Sequence, residues 1–212
     1  MRIFVDFNIR PADYSKDSLL EFIDMALHLK YRILVIEAPS SAEAELIRSL
    51  SGKRVKLYAR YTITAHVSNE LKSISRKIKW ADLLVAECFS QETARMATKI
   101  RSIDAILIPL DKISIVNERQ VNAMRMKERP LEIRFTDIIY ARELRNIIGL
   151  MTKNLTNIVT KIPVIMSSGA RNPSEMRSPR DMISVLSVIG INQNKSLDTI
   201  SRNPYSLLRG FL

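Results

Sequence analysis

Seven short runs rich in β-branched and aliphatic residues recur along the chain, and helical segments separate them. The runs are "RIFVDF" (2–7), "RILVIEA" (32–38), "VKLYARYT" (55–62), "LLVAE" (83–87), "AILIPL" (105–110), "LEIRF" (131–135) and "PVIMSS" (163–168). Their spacing is about that of one strand–helix unit. Between them, Leu19, Leu20, Ile23, Ala26 and Leu27 form one apolar helical stripe, and Ala44, Ile47 and Leu50 form a second. Ile138, Ala141, Leu144, Ile148 and Leu155 form a third, in the long segment before the seventh run. Strands that alternate with helices predict a parallel sheet covered by helices. That leaves a closed (β/α) barrel or an open doubly wound sheet. The open form would favour glycine-rich phosphate loops, yet the chain has only 5 glycines and neither GxGxxG nor GxxxxGK[ST]. The expectation is α/β, a barrel of about seven parallel strands, small for its class at 212 residues.

Three dipeptides mark helix starts near the C-terminus: Asn172-Pro173 with Glu175, Ser178-Pro179 with Asp181, and Asn203-Pro204. The second assigns Met182, Ile183, Val185, Leu186 and Ile189 to one helix. No repeat, low-complexity tract or long linker interrupts the pattern, so residues 1–212 are expected to form a single domain. No run of apolar residues is long enough to span a membrane. "MRIFVDFNIRP" is too short in apolar residues for a signal peptide. A soluble intracellular protein is expected. The single cysteine, Cys88, ends the run "LLVAEC" and is expected to be a small buried side chain.

Charge narrows the partner. The net charge is +11, and it is unevenly placed: residues 1–50 hold 6 Lys/Arg against 8 Asp/Glu, and the rest hold 27 against 14. Such asymmetry predicts one basic surface and a polyanionic partner.

Chemistry in a parallel barrel gathers where the strands end. Here those ends carry Asp6, Glu37, Arg60, Glu87 and Arg134. In "LEIRF", Glu132 and Arg134 face opposite to Leu131, Ile133 and Phe135. Carboxylates in such a ring can hold a metal or exchange a proton. Opposed by arginines, they can equally form a neutralised ion-pair network, the favoured reading because no nucleophile or histidine accompanies them. Only two histidines exist, His28 and His66, neither with a second histidine or cysteine at ligand spacing. GxSxG is absent as well.

The basic groupings are better marked. "GKRVK" (52–56) and "SRKIK" (75–79) are cationic. Arg95, Lys99 and Arg101 follow, and "RMKERP" supplies Arg125, Lys127 and Arg129. In "MSSGARNPSEMRSPRDMISVLSVIG" (166–190), Arg171, Arg177 and Arg180 crowd a strand-to-helix turn that has no base, nucleophile or metal ligand. Helix-start N–H groups and guanidinium forks together suit phosphate. Aromatics make up 6% of the chain and form no stacking ladder. Structured RNA read through its backbone is therefore expected.

The segment "MSSGA…MRSPRDMISVLSVIG" followed by "LDTISRNPYSLL" resembles the C-terminal signature of archaeal ribonuclease P protein component 3, counterpart of the thirty-kilodalton eukaryotic subunit. "FVDFNI" is compatible with that family's first strand. The resemblance implies a TIM-barrel-like fold and a non-catalytic subunit of the particle that removes 5′ leaders from precursor tRNA. It implies ribonuclease P RNA and ribonuclease P protein component 2 as partners, precursor tRNA as an indirect one, and no membrane. Mg²⁺ is expected at the RNA and no cofactor in this chain. A cytoplasmic, archaeal setting follows from the same resemblance. The related polymerase-and-histidinol-phosphatase phosphoesterases carry a histidine-x-histidine motif on the first strand, where this chain has "DFNI". An alternative reading keeps such a metal-dependent phosphoesterase, using Asp6, Glu37, Glu87 and His66. Arg177 and Arg180, within the motif, are the leading RNA-contact candidates. Arg134, Arg95 and Lys127 follow on charge and placement.

Overall fold

The computed structural model describes residues 2–208. Seven strands, β1 (Val5–Ile9), β2 (Ile33–Glu37), β3 (Lys56–Ala65), β4 (Leu83–Cys88), β5 (Ala105–Leu107), β6 (Leu131–Arg134) and β7 (Val164–Ser167), form one sheet in sequence order. Every neighbouring pair is parallel. The sheet curls until its edges meet. Beyond β7 the chain bridges to β1 at Ile9 and Ala170. There the Gly169 N–H donates to the Asn8 carbonyl at 2.9 Å and the Arg10 N–H to the Ala170 carbonyl at 2.7 Å. Seven strands thus make a nearly closed TIM-barrel-like fold, as the alternating pattern predicts, with no eighth strand among the described residues.

The helices are α1 (Lys16–His28), α2 (Ser41–Ser49), α3 (Ser68–Lys77), α4 (Gln91–Lys99), α5 (Glu118–Met126), α6 (Thr136–Ile139), α7 (Leu144–Leu150), α8 (Thr156–Lys161), α9 (Pro179–Val188), α10 (Gln193–Thr199) and α11 (Arg202–Leu208). Side chains satisfy several of the orphan N–H groups at their starts: Ser15 caps α1, Ser40 caps α2 and Asn117 caps α5. Of the three helix starts read from sequence, Ser178 is a full capping box with Asp181. Asn172-Pro173 opens only a short 3₁₀ turn, Pro173–Glu175. Asn203 lies inside α11, and its side-chain amide donates to the Val164 carbonyl at 2.7 Å.

The helical stripe expected over 138–155 is broken. The chain turns between α6 and α7, then passes through a π-helical stretch, Met151–Leu155, before α8. Met151 and Leu155 are both buried, and the wider turn keeps them facing the core. Thr152, Asn154 and Thr156 side chains donate back to carbonyls four residues earlier, which eases a departure from regular geometry.

Alternation along each strand sorts two cores. In β4, Leu83 and Val85 join Val5, Phe7, Ile33, Val35, Ala105, Leu107 and Ile165 inside the barrel. Leu84, Ala86 and Cys88 pack outward against helices. Cys88 is buried as expected, and burial pushes its thiol up to about 12. Leu208 of α11 joins the interior cluster, with Tyr205 packed against it. Toward the carboxyl ends of the strands the interior turns from apolar to charged.

Candidate nucleic-acid interface

Arg60, on β3, lies inside the barrel with no exposed surface. One terminal nitrogen reaches both oxygens of Glu132 at 3.0 Å and the Phe7 carbonyl at 2.7 Å. Its Nε lies 3.3 Å from Glu37 Oε2, and its guanidinium also donates to Thr62 Oγ1. The group sits 5.4 Å from the Phe7 ring centroid. Glu132 accepts in addition from Ser167 Oγ at 2.7 Å, and Glu37 from the Thr62 N–H and hydroxyl at 2.6 Å each. A second group lies nearer the rim. Arg134 pairs with Glu87 at 2.9 Å and with Asp137 at 3.1 Å. Thr64 donates to Glu87, and the Leu110 N–H to Asp137. Charges so placed are tolerated only when most of their hydrogen-bonding capacity is satisfied.

The electrostatics agree. Burial raises the Glu37 carboxyl above its ordinary value, and Arg60 pulls against that rise. Burial likewise raises Asp137, opposed by Arg134. Burial alone would lower Arg134, but Asp137, Glu87 and Glu132 outweigh it and the net direction is up. The ion-pair reading of the strand ends therefore describes Glu37, Arg60, Glu87 and Arg134. Glu132 and Asp137 complete the network. Glu132 was legible from its parity with Arg134; Asp137 lies past the strand, where no period applies.

Asp6 does not join the ring. Val5 and Phe7 face the interior, while Asp6 pairs in register with Leu34, whose side chain packs in the outer core. Asp6 Oδ1 accepts from the Ser168 N–H at 2.9 Å. Its Oδ2 and both polar side-chain atoms of Asn8 are buried without a hydrogen-bond partner among the described residues. Burial raises the Asp6 carboxyl to about 6, against the hydrogen bonds from Ser168 and Asn8. The set Asp6, Glu37, Glu87 and His66 is therefore not assembled: Glu37 and Glu87 are tied to separate arginines, and His66 stacks on Phe89 at 5.4 Å between centroids. Among the described residues, no group of three or more His, Cys, Asp or Glu side chains is placed to hold a metal ion.

The arginine-lined turn is split in two. Arg171 remains at the barrel mouth. Arg177 and Arg180 lie on the outer wall beside α1. Tyr31, just before β2, donates through its hydroxyl to the Arg177 carbonyl at 2.9 Å, and Arg180 lines a groove with His28 and Lys30. Arg177 directs one guanidinium nitrogen to the carbonyls of Ser174 and Met176, whereas Arg180 is exposed. Arg95 is exposed on α4, and Lys127 is exposed at the end of α5, which packs beside α4. Arg134 is only 8% exposed. The five sequence candidates thus occupy three separate places: the α1–α9 groove, the outer α4–α5 wall, and the ion-paired rim. Arg10, at the end of β1, is a mouth cation that charge clustering missed because it stands alone in "NIRP"; its place just past a strand was the available signal.

Among solved structures, the fold is similar to a chain in the cryo-EM structure of archaeal ribonuclease P with mature tRNA. The TM-score is 0.79 at 16% identity, covering 96% of this chain and 89% of that one. A zinc-bound histidinol phosphate phosphatase from Lactococcus lactis shares the fold more distantly, with a TM-score of 0.55 at 9% identity over 89% of this chain and 95% of that one. In sequence, the chain is 24% identical to mouse ribonuclease P protein subunit p30, spanning 96% of this chain and 84% of the relative. It is 22% identical to ribonuclease P protein component 3 of Methanococcoides burtonii, spanning 98% and 88%. Against the Arabidopsis thaliana protein GAMETOPHYTE DEFECTIVE 1 it is 25% identical over 71% of its length, and it spans 27% of that longer protein. Residues 3–210 match the family model described as RNase P subunit p30, and with that match over nearly its whole length the chain belongs to the RNase P subunit p30 family.

Proposed function

We propose that this chain acts as a single barrel domain and a protein subunit of ribonuclease P, binding and stabilising the RNA that removes the 5′ leader from precursor tRNA. The observation that carries the reading is the mouth of the barrel. Its interior carboxylates are held by Arg60 and Arg134, and cations remain outside for a polyanion. A barrel of this kind offers charge and shape, and the hydrolysis, with Mg²⁺, is assigned to the RNA. Ribonuclease P protein component 2 and the other protein subunits are the protein partners, and precursor tRNA is met indirectly. Arg180, Arg95 and Lys127 are exposed RNA contacts on this reading. Arg177 adds a partly engaged guanidinium, and Arg134 acts from the rim through the network it holds. The archaeal and cytoplasmic setting rests on the C-terminal motif.

Reconstitution tests the reading directly. Precursor tRNA processing by the RNA and the other protein subunits, at limiting Mg²⁺, is measured with and without this chain. Omission is expected to slow processing, and Arg180→Ala is expected to weaken RNA binding and reduce the log–log salt slope by about one. Processing that ignores the chain, or phosphodiester cleavage by the chain without RNA, would remove the proposal.

A further inference from the structure

The barrel mouth opens into a cleft of about 1030 Å³, at the top of the ~300–1,000 Å³ range of small-ligand sites. Arg134 and Asp137 lie at its base, and the segments after β1, β6 and β7 wall it. Two of these segments are zipped together. The Arg10 N–H donates to the Ala170 carbonyl at 2.7 Å and the Ala12 N–H to the Arg171 carbonyl at 3.1 Å. Arg10 and Arg171 are thereby fixed close together across the β1–β7 seam, both lining the cleft.

The acids of the cleft are already engaged. Asp137 pairs with Arg134, Asp111 with Lys112, and Glu143 accepts from Asn146. Glu175 accepts from the Arg171 N–H at 2.8 Å, the Tyr140 hydroxyl at 2.7 Å and Asn172 at 2.9 Å. The guanidinium groups of Arg10 and Arg171, by contrast, make no hydrogen bond or salt bridge among the described residues. Arg10 is half-buried, and burial followed by Arg134 holds its guanidinium below the ordinary value; Glu87 and Glu37 pull the other way without reversing it, and Arg171 adds a smaller push downward. A cation kept in this state is stabilised by an incoming anion. Beside it stands an aromatic face. Tyr140 is 62% exposed, and the hydroxyl bond to Glu175 fixes its ring at the cleft wall.

Building on the reading of the chain as an RNA-binding subunit, we propose that this cleft takes one nucleotide of an unpaired RNA segment, its phosphate on Arg10 and Arg171 and its base against the Tyr140 ring. Guanidinium forks match phosphate oxygens. An exposed ring next to them matches a base that has left its stack, which a duplex does not offer.

The full chain is titrated by fluorescence anisotropy with a short oligouridylate and with an RNA duplex of equal length, at several salt concentrations. Arg10→Gln/Arg171→Gln is expected to weaken oligouridylate binding at least about tenfold and to lower the log–log salt slope by roughly 0.7, the share of one phosphate on a single strand. Tyr140→Leu is expected to weaken it about 5- to 150-fold, the range of one lost base stack, with the slope unchanged. Duplex binding should not respond to Tyr140→Leu. Oligouridylate carrying 4-thiouridine should photo-crosslink to Tyr140 in the unaltered chain, a readout independent of how the variants fold. Parent-like binding by either variant with parent-like thermal unfolding, a crosslink confined to other faces, or equal loss of duplex binding in Tyr140→Leu overturns the proposal. The subunit reading is judged separately, by whether the unaltered chain changes processing in the reconstituted particle.

Discussion

Asp6 shows how one buried carboxyl ties pH to stability. Its ordinary value is 3.8, and burial raises it to about 6 in the folded chain. Between those values the folded state holds a proton that the unfolded state has released, so stability falls as pH rises through that window. The contribution is fully present below about pH 4 and gone above about pH 6. Asp6→Asn keeps an acceptor for the Ser168 N–H and cannot ionise. Urea unfolding across pH should show variant and parent nearly equal near pH 4. By pH 7 the variant should be more stable by up to about 3 kcal/mol, the free-energy equivalent of the shift. An offset that stays flat with pH would mean that Asp6 ionises at the same value in the folded and unfolded chain, so that burial does not shift it. Strand parity shows why this residue was misread. Period-two alternation correctly puts Glu132 with Arg134, but on β1 the register slips between Asp6 and Ile9, and neither that bulge nor the inward face of β1 is written in "FVDFNI".

At the scale of elements, the turn after β7 determines how closely that strand meets the segment after β6. Gly169 has φ +70, and a Cβ built there would lie 2.3 Å from Thr136 Oγ1, with Arg134 side-chain carbons at 3.2 and 3.3 Å. Only glycine gives both the left-handed backbone and the close approach. Gly169→Ala is expected to cost about 2–4 kcal/mol, from the left-handed conformation and the clash together. In a Thr136→Ala background the clash with the hydroxyl is gone, and the cost should fall to about 1–2 kcal/mol. Denaturant unfolding of the four proteins in this cycle measures the coupling; additive costs would show that Thr136 is not what Gly169 accommodates. "SSGA" advertised a turn, yet the partner that makes the glycine necessary is distant in sequence. The same limit applies to the broken helix before β7: the apolar spacing marked the buried positions, but the π-helical stretch depends on packing that local sequence does not encode. Ser178-Pro179-x-Asp181 was readable because a capping box is closed within four residues.

Across the whole molecule, alternating strands and helices announced a parallel sheet covered on both faces, and the absence of glycine-rich phosphate loops among only 5 glycines turned the choice from an open sheet to a barrel. Closure was not readable, since the C-terminal helices do work that an eighth strand–helix unit does in larger barrels. The Val5 N–H donates to the Ile200 carbonyl at 2.9 Å, Asn203 bonds to β7 at Val164, and Leu208 is wholly buried with Val5, Phe7 and Ile165. These contacts fall on β1 and β7, the two strands joined at only a few points. The apolar end of the interior is therefore held at its weakest seam by α10 and α11. Leu208→Ala should lower stability by about 2–5 kcal/mol, the range for truncating a buried leucine. The distribution of the loss is the sharper test. Native-state hydrogen exchange should quicken first at the amides of β1 and β7, through opening of the seam, while the β3–β4 pair retains protection close to that for global unfolding. Equal acceleration in all seven strands would make Leu208 an ordinary core residue and leave the barrel without a distinct latch. Selective opening would connect the stability of the C-terminal helices to the mouth, because the seam they secure also carries Arg10 and Arg171.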